Sequence, residues 1–249
     1  MTRNLAIARW KQFVTGPLGP ISKRLMIAVL ALAAAVPALS QNGALQQRLA
    51  AVQQAMAENQ QKLRQYQWIE TTQLTLKGDA KAPKQNLCQY GPGGQVQKTP
   101  IGAPSEQPSG GRLKQRVIQK KKEEMQDYMG DVKSVLGMYV PPDPQRMEQA
   151  YQAGKLSLNP AGNMINLVFV DYAQSGDQMT LSFDTTARKV ASLSVNTYMG
   201  EAKDRVTLQV QMASLPDGTN YVQQTVLDAA AKKLQVTTTN SNYQKLSGY

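Results

Sequence analysis

From Met164 to the C-terminus, apolar and polar residues alternate with a period of two in successive runs at 164–172, 178–184, 189–199, 205–213, 219–228 and 233–245. Side chains on a strand point alternately to opposite faces, so each run places Leu, Val, Met and Phe on one face and Thr, Ser, Gln and Asn on the other. Met179, Leu181 and Phe183 share a face; so do Ala191, Leu193, Val195 and Met199, and then Val206, Leu208, Val210 and Met212. The intervening breaks AQSGD, DTTARK, GEAKD, LPDG and AAAKK are short, which predicts that consecutive strands pair as an antiparallel meander.

Upstream, the period changes twice. In GALQQRLAAVQQAMAENQQKLRQY, Leu45, Leu49, Val52, Met56, Leu63 and Tyr66 fall at spacings of three, four and seven, the stripe of an amphipathic helix. YQWIETTQLTLKGD then alternates, with Tyr66, Trp68, Leu74 and Leu76 against Gln67, Thr71, Gln73 and Thr75, and predicts a half-buried strand. NLCQYGPGGQVQKTPI reads as two short strands about a glycine turn at Gly91 to Gly94. After the Pro-, Gly- and Ser-rich TPIGAPSEQPSGG, a helical segment spans 110–154 between the two strand groups. Its first helix carries Leu113, Val117, Met125, Met129, Val132 and Leu136; its second starts at the N-cap Asp143 with Pro144 in the first turn and stops at Gly154.

These elements predict an α+β fold in which about nine strands, three before the helices and six after, form a strongly curved antiparallel meander. A sheet with one apolar face must cover it, and here the available covers are the amphipathic helices or a bound apolar ligand. Trp68, Met179, Leu181, Phe183, Leu193, Val195, Met199, Leu208, Val210 and Met212 are therefore the candidate lining of a ligand cavity. Methionine is unbranched and deformable, which suits a cavity of variable shape as well as an ordinary core. If Leu193 and Val210 line an open cavity, Leu193→Ala should be mild compared with the roughly 2–5 kcal/mol of a filled core, and Val210→Trp should block uptake of an acyl-chain probe without unfolding the protein.

Composition adds a compartment. Met1 to Arg24 is basic and free of acids, and LMIAVLALAAAVPALSQ follows with a short apolar run that ends in small residues. That order is the layout of a secretory signal peptide over residues 1–40, with cleavage between Ser40 and Gln41 and one domain at 41–249. The apolar run is shorter than the ~20 residues of a membrane-spanning helix. A periplasmic or secreted location follows. The formal charge of +11 includes five leader cations, so the remainder carries +6, which allows attraction to anionic surfaces and specifies no partner. A single cysteine, Cys88, permits no internal disulfide and reads as a half-buried strand residue.

Candidate chemistry is sparse. There is no histidine, which removes Ser-His and Cys-His catalysis and most zinc or copper sites, and no cofactor motif appears. Catalysis by acids alone would draw on Glu70, Asp171 and Asp184, which also read as solvated strand ends. RLKQRVIQKKKEEM gathers Arg112, Lys114, Arg116, Lys120, Lys121 and Lys122 before the first acid, Glu123. Without interleaved aromatics to stack bases, and on an exported chain, nucleic acid is not the partner these cations suggest. They read as a solvated helix face, or as a contact for lipid headgroups or an acidic envelope protein. Tyr66, Tyr172, Tyr198, Tyr221 and Tyr243 join Trp68 as aromatics able to rim a pocket.

The order of these elements, from an N-terminal helix into YQWIETTQLTLKGD, through a mid-chain helical segment, to the hairpin LSFDTTARKVASLSVNTY, resembles the LolA-like superfamily of periplasmic lipoprotein carriers and their RseB-like relatives. The resemblance covers most of the chain after the leader, in element order, and the long basic middle helix departs from it. It implies an unclosed β half-barrel whose concave face, lidded by helices, binds acyl chains. Three readings follow: an envelope carrier with an apolar cavity, a closed interaction module of the envelope, and an acid-only hydrolase.

Overall fold

The alternating runs after Met164 pair in chain order, each hydrogen-bonded to the next, because short turns leave neighbouring strands no other partner. The computed structural model describes residues 36–102 and 112–246; the expected leader lies outside them up to residue 35. Its elements are α1 (Val36–Leu63), β1 (Tyr66–Leu76), β2 (Asp79–Ala80), β3 (Lys84–Tyr90), β4 (Val96–Ile101), α2 (Arg112–Leu136) and α3 (Pro144–Gln152). They are followed by β5 (Leu156–Ala161), β6 (Met164–Val170), β7 (Gln178–Asp184), β8 (Lys189–Tyr198), β9 (Arg205–Ser214), β10 (Asn220–Ala229) and β11 (Leu234–Lys245). The strands, α2, α3 and α1 from Ala44 onward form one compact unit, Ala44–Tyr249; the first residues of α1 belong to another, Met1–Gly43.

The sheet has eleven antiparallel strands in the order β4-β3-β1-β11-β10-β9-β8-β7-β6-β5, with β2 paired to β1 outside that path, and it is not closed. The expected nine strands omit β2 and β5. β5 escapes notice because LSLNPA contains Pro160, which cannot donate to a ladder and argues against a central strand. It is in fact an edge strand, where a proline is tolerated, and the opposite edge, β4, carries Pro100 in the same role. The chain leaves the β1–β4 side, runs through α2 and α3, and re-enters the sheet at β5.

The helices meet one face of the sheet. Leu49 and Val52 of α1, Tyr128 and Val132 of α2, and Met147 and Ala150 of α3 join the buried residues of β5 to β11 in a single core. α3 begins as expected: the Asp143 side chain accepts the Gln145 amide, Pro144 stands in the first turn, and Gly154, at φ +69°, follows the last turn. α1 is longer than its apolar stripe predicts, beginning at Val36, and Tyr66 belongs to β1. A β-bulge shifts the β7–β8 register between Ser182 and Phe183, so Phe183 lies opposite Val190 rather than Ala191. Val190, and not Ala191, packs against the core.

Candidate functional site

The apolar face divides into a covered and a half-covered part. On β7, β8 and β9, Met179, Leu181, Phe183, Leu193, Val195, Leu208 and Val210 are all at most 5% exposed, and cross-strand neighbours such as Leu181, Leu193 and Val210 stand directly opposite one another. Seven of the ten candidate lining residues thus pack in the core, while Met199 and Met212 lie partly buried at its margin. The tenth, Trp68, lies elsewhere.

Across the sheet, on the same face, coverage thins. Register places Val236 opposite Leu74 and Thr238 opposite Thr72 between β11 and β1, and Val222 opposite Met212 between β10 and β9. All of these side chains are partly exposed. The strip ends in an aromatic cluster. Trp68 stacks on Tyr243, with ring centres 5.5 Å apart and planes 11° from parallel; Tyr90 tilts against Trp68 at 5.4 Å and Tyr221 against Tyr243 at 4.4 Å. Trp68 Nε1 donates to Asn240 Oδ1 at 3.1 Å. The register of β1 with β11 shifts between Gln67 and Ile69, where β11 spends two residues, Asn242 and Tyr243, against Trp68 alone. Asn242 takes φ +53°, a left-handed conformation that asparagine tolerates, and this extra residue returns Tyr243 to the face that carries Trp68.

Beside the aromatics lies a polar end. Lys98 Nζ on β4 reaches both carboxylate oxygens of Glu70 on β1 at 2.7 Å, spanning β3, and the Glu70 side chain is 12% exposed. Asn86 stands opposite Glu70, and Cys88 opposite both Trp68 and Lys98. Cys88 is fully buried rather than half-buried; burial first, and then the Glu70 charge, push its thiol above the ordinary range and keep it protonated. Tyr243 is raised well above the usual phenol range, chiefly by desolvation.

Tyr66 anchors this end to the β9–β10 turn. Its hydroxyl donates to Asp217 Oδ2 at 2.6 Å, and the Thr219 amide donates to Asp217 Oδ1 at 2.9 Å. The Tyr66 hydrogen bond, followed by that amide, lowers the Asp217 pKa from 3.8 to about 2. A carboxylate depressed on folding stabilises the protein above its unfolded pKa, and that stability disappears as pH falls through the folded value. Tyr66→Phe should therefore lower the urea midpoint at pH 7 and shrink the loss of stability between about pH 4 and pH 2. An unchanged acid limb would show that Asp217 draws its shift from elsewhere.

The remaining acids have local tasks. Asp171 accepts the Gly176 amide and pairs with Lys155, and Asp184 accepts the Thr186 and Ala187 amides in the β7–β8 turn. Arg116, Lys120, Lys121 and Lys122 are exposed on α2; the side chains of Arg112 and Lys114 lie outside the described residues. Between α1 and α3, Gln53, Gln145, Glu148, Gln149 and Gln152 line an open depression of about 390 Å³ with Pro144. Among the described residues no group of three or more acidic or cysteine side chains is placed to hold a metal ion, and no helix is long and apolar enough to cross a membrane.

One buried polar cluster has no counterpart among the sequence-predicted sites. Asp177, 2% exposed, accepts the amides of Tyr172, Ala173 and Gln174 and the Tyr139 hydroxyl, the last at 2.5 Å. Tyr139 also bonds Thr197 Oγ1 at 2.8 Å, and desolvation together with Asp177 pushes its phenol well above the ordinary range. The buried carboxylate takes four donors from within the fold, three on Oδ2 and one on Oδ1, so the cluster is a clasp for the β6–β7 loop.

No family model and no curated protein matches the chain. It is similar to the crystal structure of a DUF1329 family protein from Desulfovibrio piger, at 9% sequence identity over 80% of this chain and 93% of that one, with a TM-score of 0.38. That likeness is too slight to assign a function.

Proposed function

We propose that the protein is an exported, non-catalytic carrier of the cell envelope that seats the apolar tail of an amphiphile along the half-covered strip of its sheet. One observation carries this reading: the face that is fully buried on β7 to β9 stays partly exposed and apolar at Val222, Val236 and Leu74, then ends in the Glu70–Lys98 pair. A surface with an apolar floor and a charged end matches a molecule built the same way. From Glu70 to Leu76 an extended strand runs about 20 Å, longer than the ~15 Å that one leaflet contributes to a bilayer's hydrocarbon core. In this reading the open sheet curls as the half-barrel of LolA-like carriers does, Leu193 and Val210 belong to its filled half, and the basic and apolar N-terminus directs export.

The complete burial of Met179, Val195 and Leu167 favours the second reading, a closed interaction module. A fluorescent fatty-acid probe separates the two. The wild type should take it up, and Val236→Trp, a change at a partly exposed position on the margin of the core, should lower probe affinity at least tenfold while shifting the unfolding midpoint little. No uptake by the wild type, or equal uptake by a folded Val236→Trp variant, would leave the closed module in its place.

A further inference from the structure

The basic part of α2 has an unusual setting. Gln119 to Glu124, six consecutive residues, are all exposed. At about 3.6 residues per turn, six residues pass all the way round a helix, so no side of this stretch is packed on the body. After it the helix packs on the core through Met125, Tyr128 and Val132. Among the described residues, none of Arg116, Lys120, Lys121 and Lys122 takes part in an ion pair.

Inside the fold these cations bring no return. Arg116 and Lys120 stand at i and i+4, where like charges repel, and although Glu124 follows Lys120 at i+4 and Lys121 at i+3, neither lysine closes an ion pair with it. The acids Glu123, Glu124, Asp127 and Asp131 follow the cations, the first two within the same exposed stretch. Exposed cations without an ion pair, on a stretch with no packed side, are available to an anion from outside. The kind of cation narrows the partner. Three of the four are lysines, compact charges on flexible stems without the fork geometry that selects a single carboxylate or phosphate, and successive lysines point about 100° apart. They suit a diffuse sheet of charge rather than a shaped acidic pocket.

We infer that this exposed part of α2 docks the protein on anionic phospholipid through Arg116, Lys120, Lys121 and Lys122, independently of whether the sheet holds a ligand. The experiment compares binding of the purified chain to vesicles of phosphatidylcholine alone and of phosphatidylcholine doped with phosphatidylglycerol. The wild type should prefer the doped vesicles, and added salt should remove the preference. The triple variant Lys120→Gln, Lys121→Gln, Lys122→Gln should partition on the order of 100-fold more weakly onto the doped vesicles, each lysine near an anionic leaflet being worth about fivefold. The corresponding triple arginine variant should retain binding, because it keeps the charge. Thermal unfolding should be nearly the same in all three proteins, since exposed charges contribute little to stability. The inference is overturned if the wild type shows no preference for doped vesicles, if the glutamine variant binds them equally, or if the arginine variant loses binding with it; an acidic protein partner would leave vesicle binding flat throughout.

Discussion

Asp177→Ala should lower the stability of the protein by about 3–5 kcal/mol, since each buried donor left unpaired costs about 1–3 kcal/mol and the change strands the Tyr172, Ala173 and Gln174 amides together, leaving the Tyr139 hydroxyl only Thr197. Water entering the loop relieves part of that loss, which is why the individual penalties do not sum. Asp177→Asn should fall between, because it keeps one acceptor oxygen but turns an amide nitrogen toward donors that need an acceptor. Tyr139→Phe should be milder still, removing a donor and leaving the three amide bonds in place. Urea unfolding of the three variants gives the ranking. Near wild-type stability for Asp177→Ala would mean that the β6–β7 loop re-forms without its clasp.

Leu193→Ala should cost the full range for a filled core, about 2–5 kcal/mol. Leu193 is 5% exposed and sits between Leu181 and Val210 in the register, so the deleted atoms leave a void that packed neighbours on both sides cannot close. An open cavity under the helices would make the same truncation mild, and the structure points the other way for this part of the face. Leu74→Ala, on the half-covered strip, should cost less than half as much, because that side chain already meets solvent. Chemical denaturation of the pair decides it: equal losses at both positions would erase the distinction between a filled and an open half on which the proposed carrier site depends.

The meander was legible because alternation is a local signal, and strands from Met164 onward appear within a residue or two of where period two places them. β5 was hidden by Pro160, a residue that rules out a central strand but not an edge one. Ala191 was misassigned because a bulge inserts one residue without a composition mark, and parity then slips by one. The site was legible only as separate residues. Trp68, Tyr221 and Tyr243 stood out as strand aromatics, yet their meeting depends on β1 lying beside β11, and nothing within either strand announces its partner. The same holds for Glu70, which reads as a solvated acid until Lys98 arrives two strands away. Asp177 reads as the end of a turn, whose local amides it does accept; its tie to Tyr139, in the connection after α2, carries no local sign.

The pairing of β1 with β11 also orders events in time. Tyr66 lies opposite Lys245, so the ladder that holds the first strands closes a loop of nearly the whole domain. The entropy of such a closure must be met before its contacts reward it, which makes this the slow step of assembly. Until β11 is in place, β1 to β4 are a small separate piece with a fully exposed outer strand, and such a piece holds together alone only if it has a hydrophobic face to bury. The packing of Tyr243 against Trp68 and Tyr221 therefore comes into being only after the C-terminal strand has been delivered, and a chain cut short before Leu234 would lose both that cluster and a buried residue of the core.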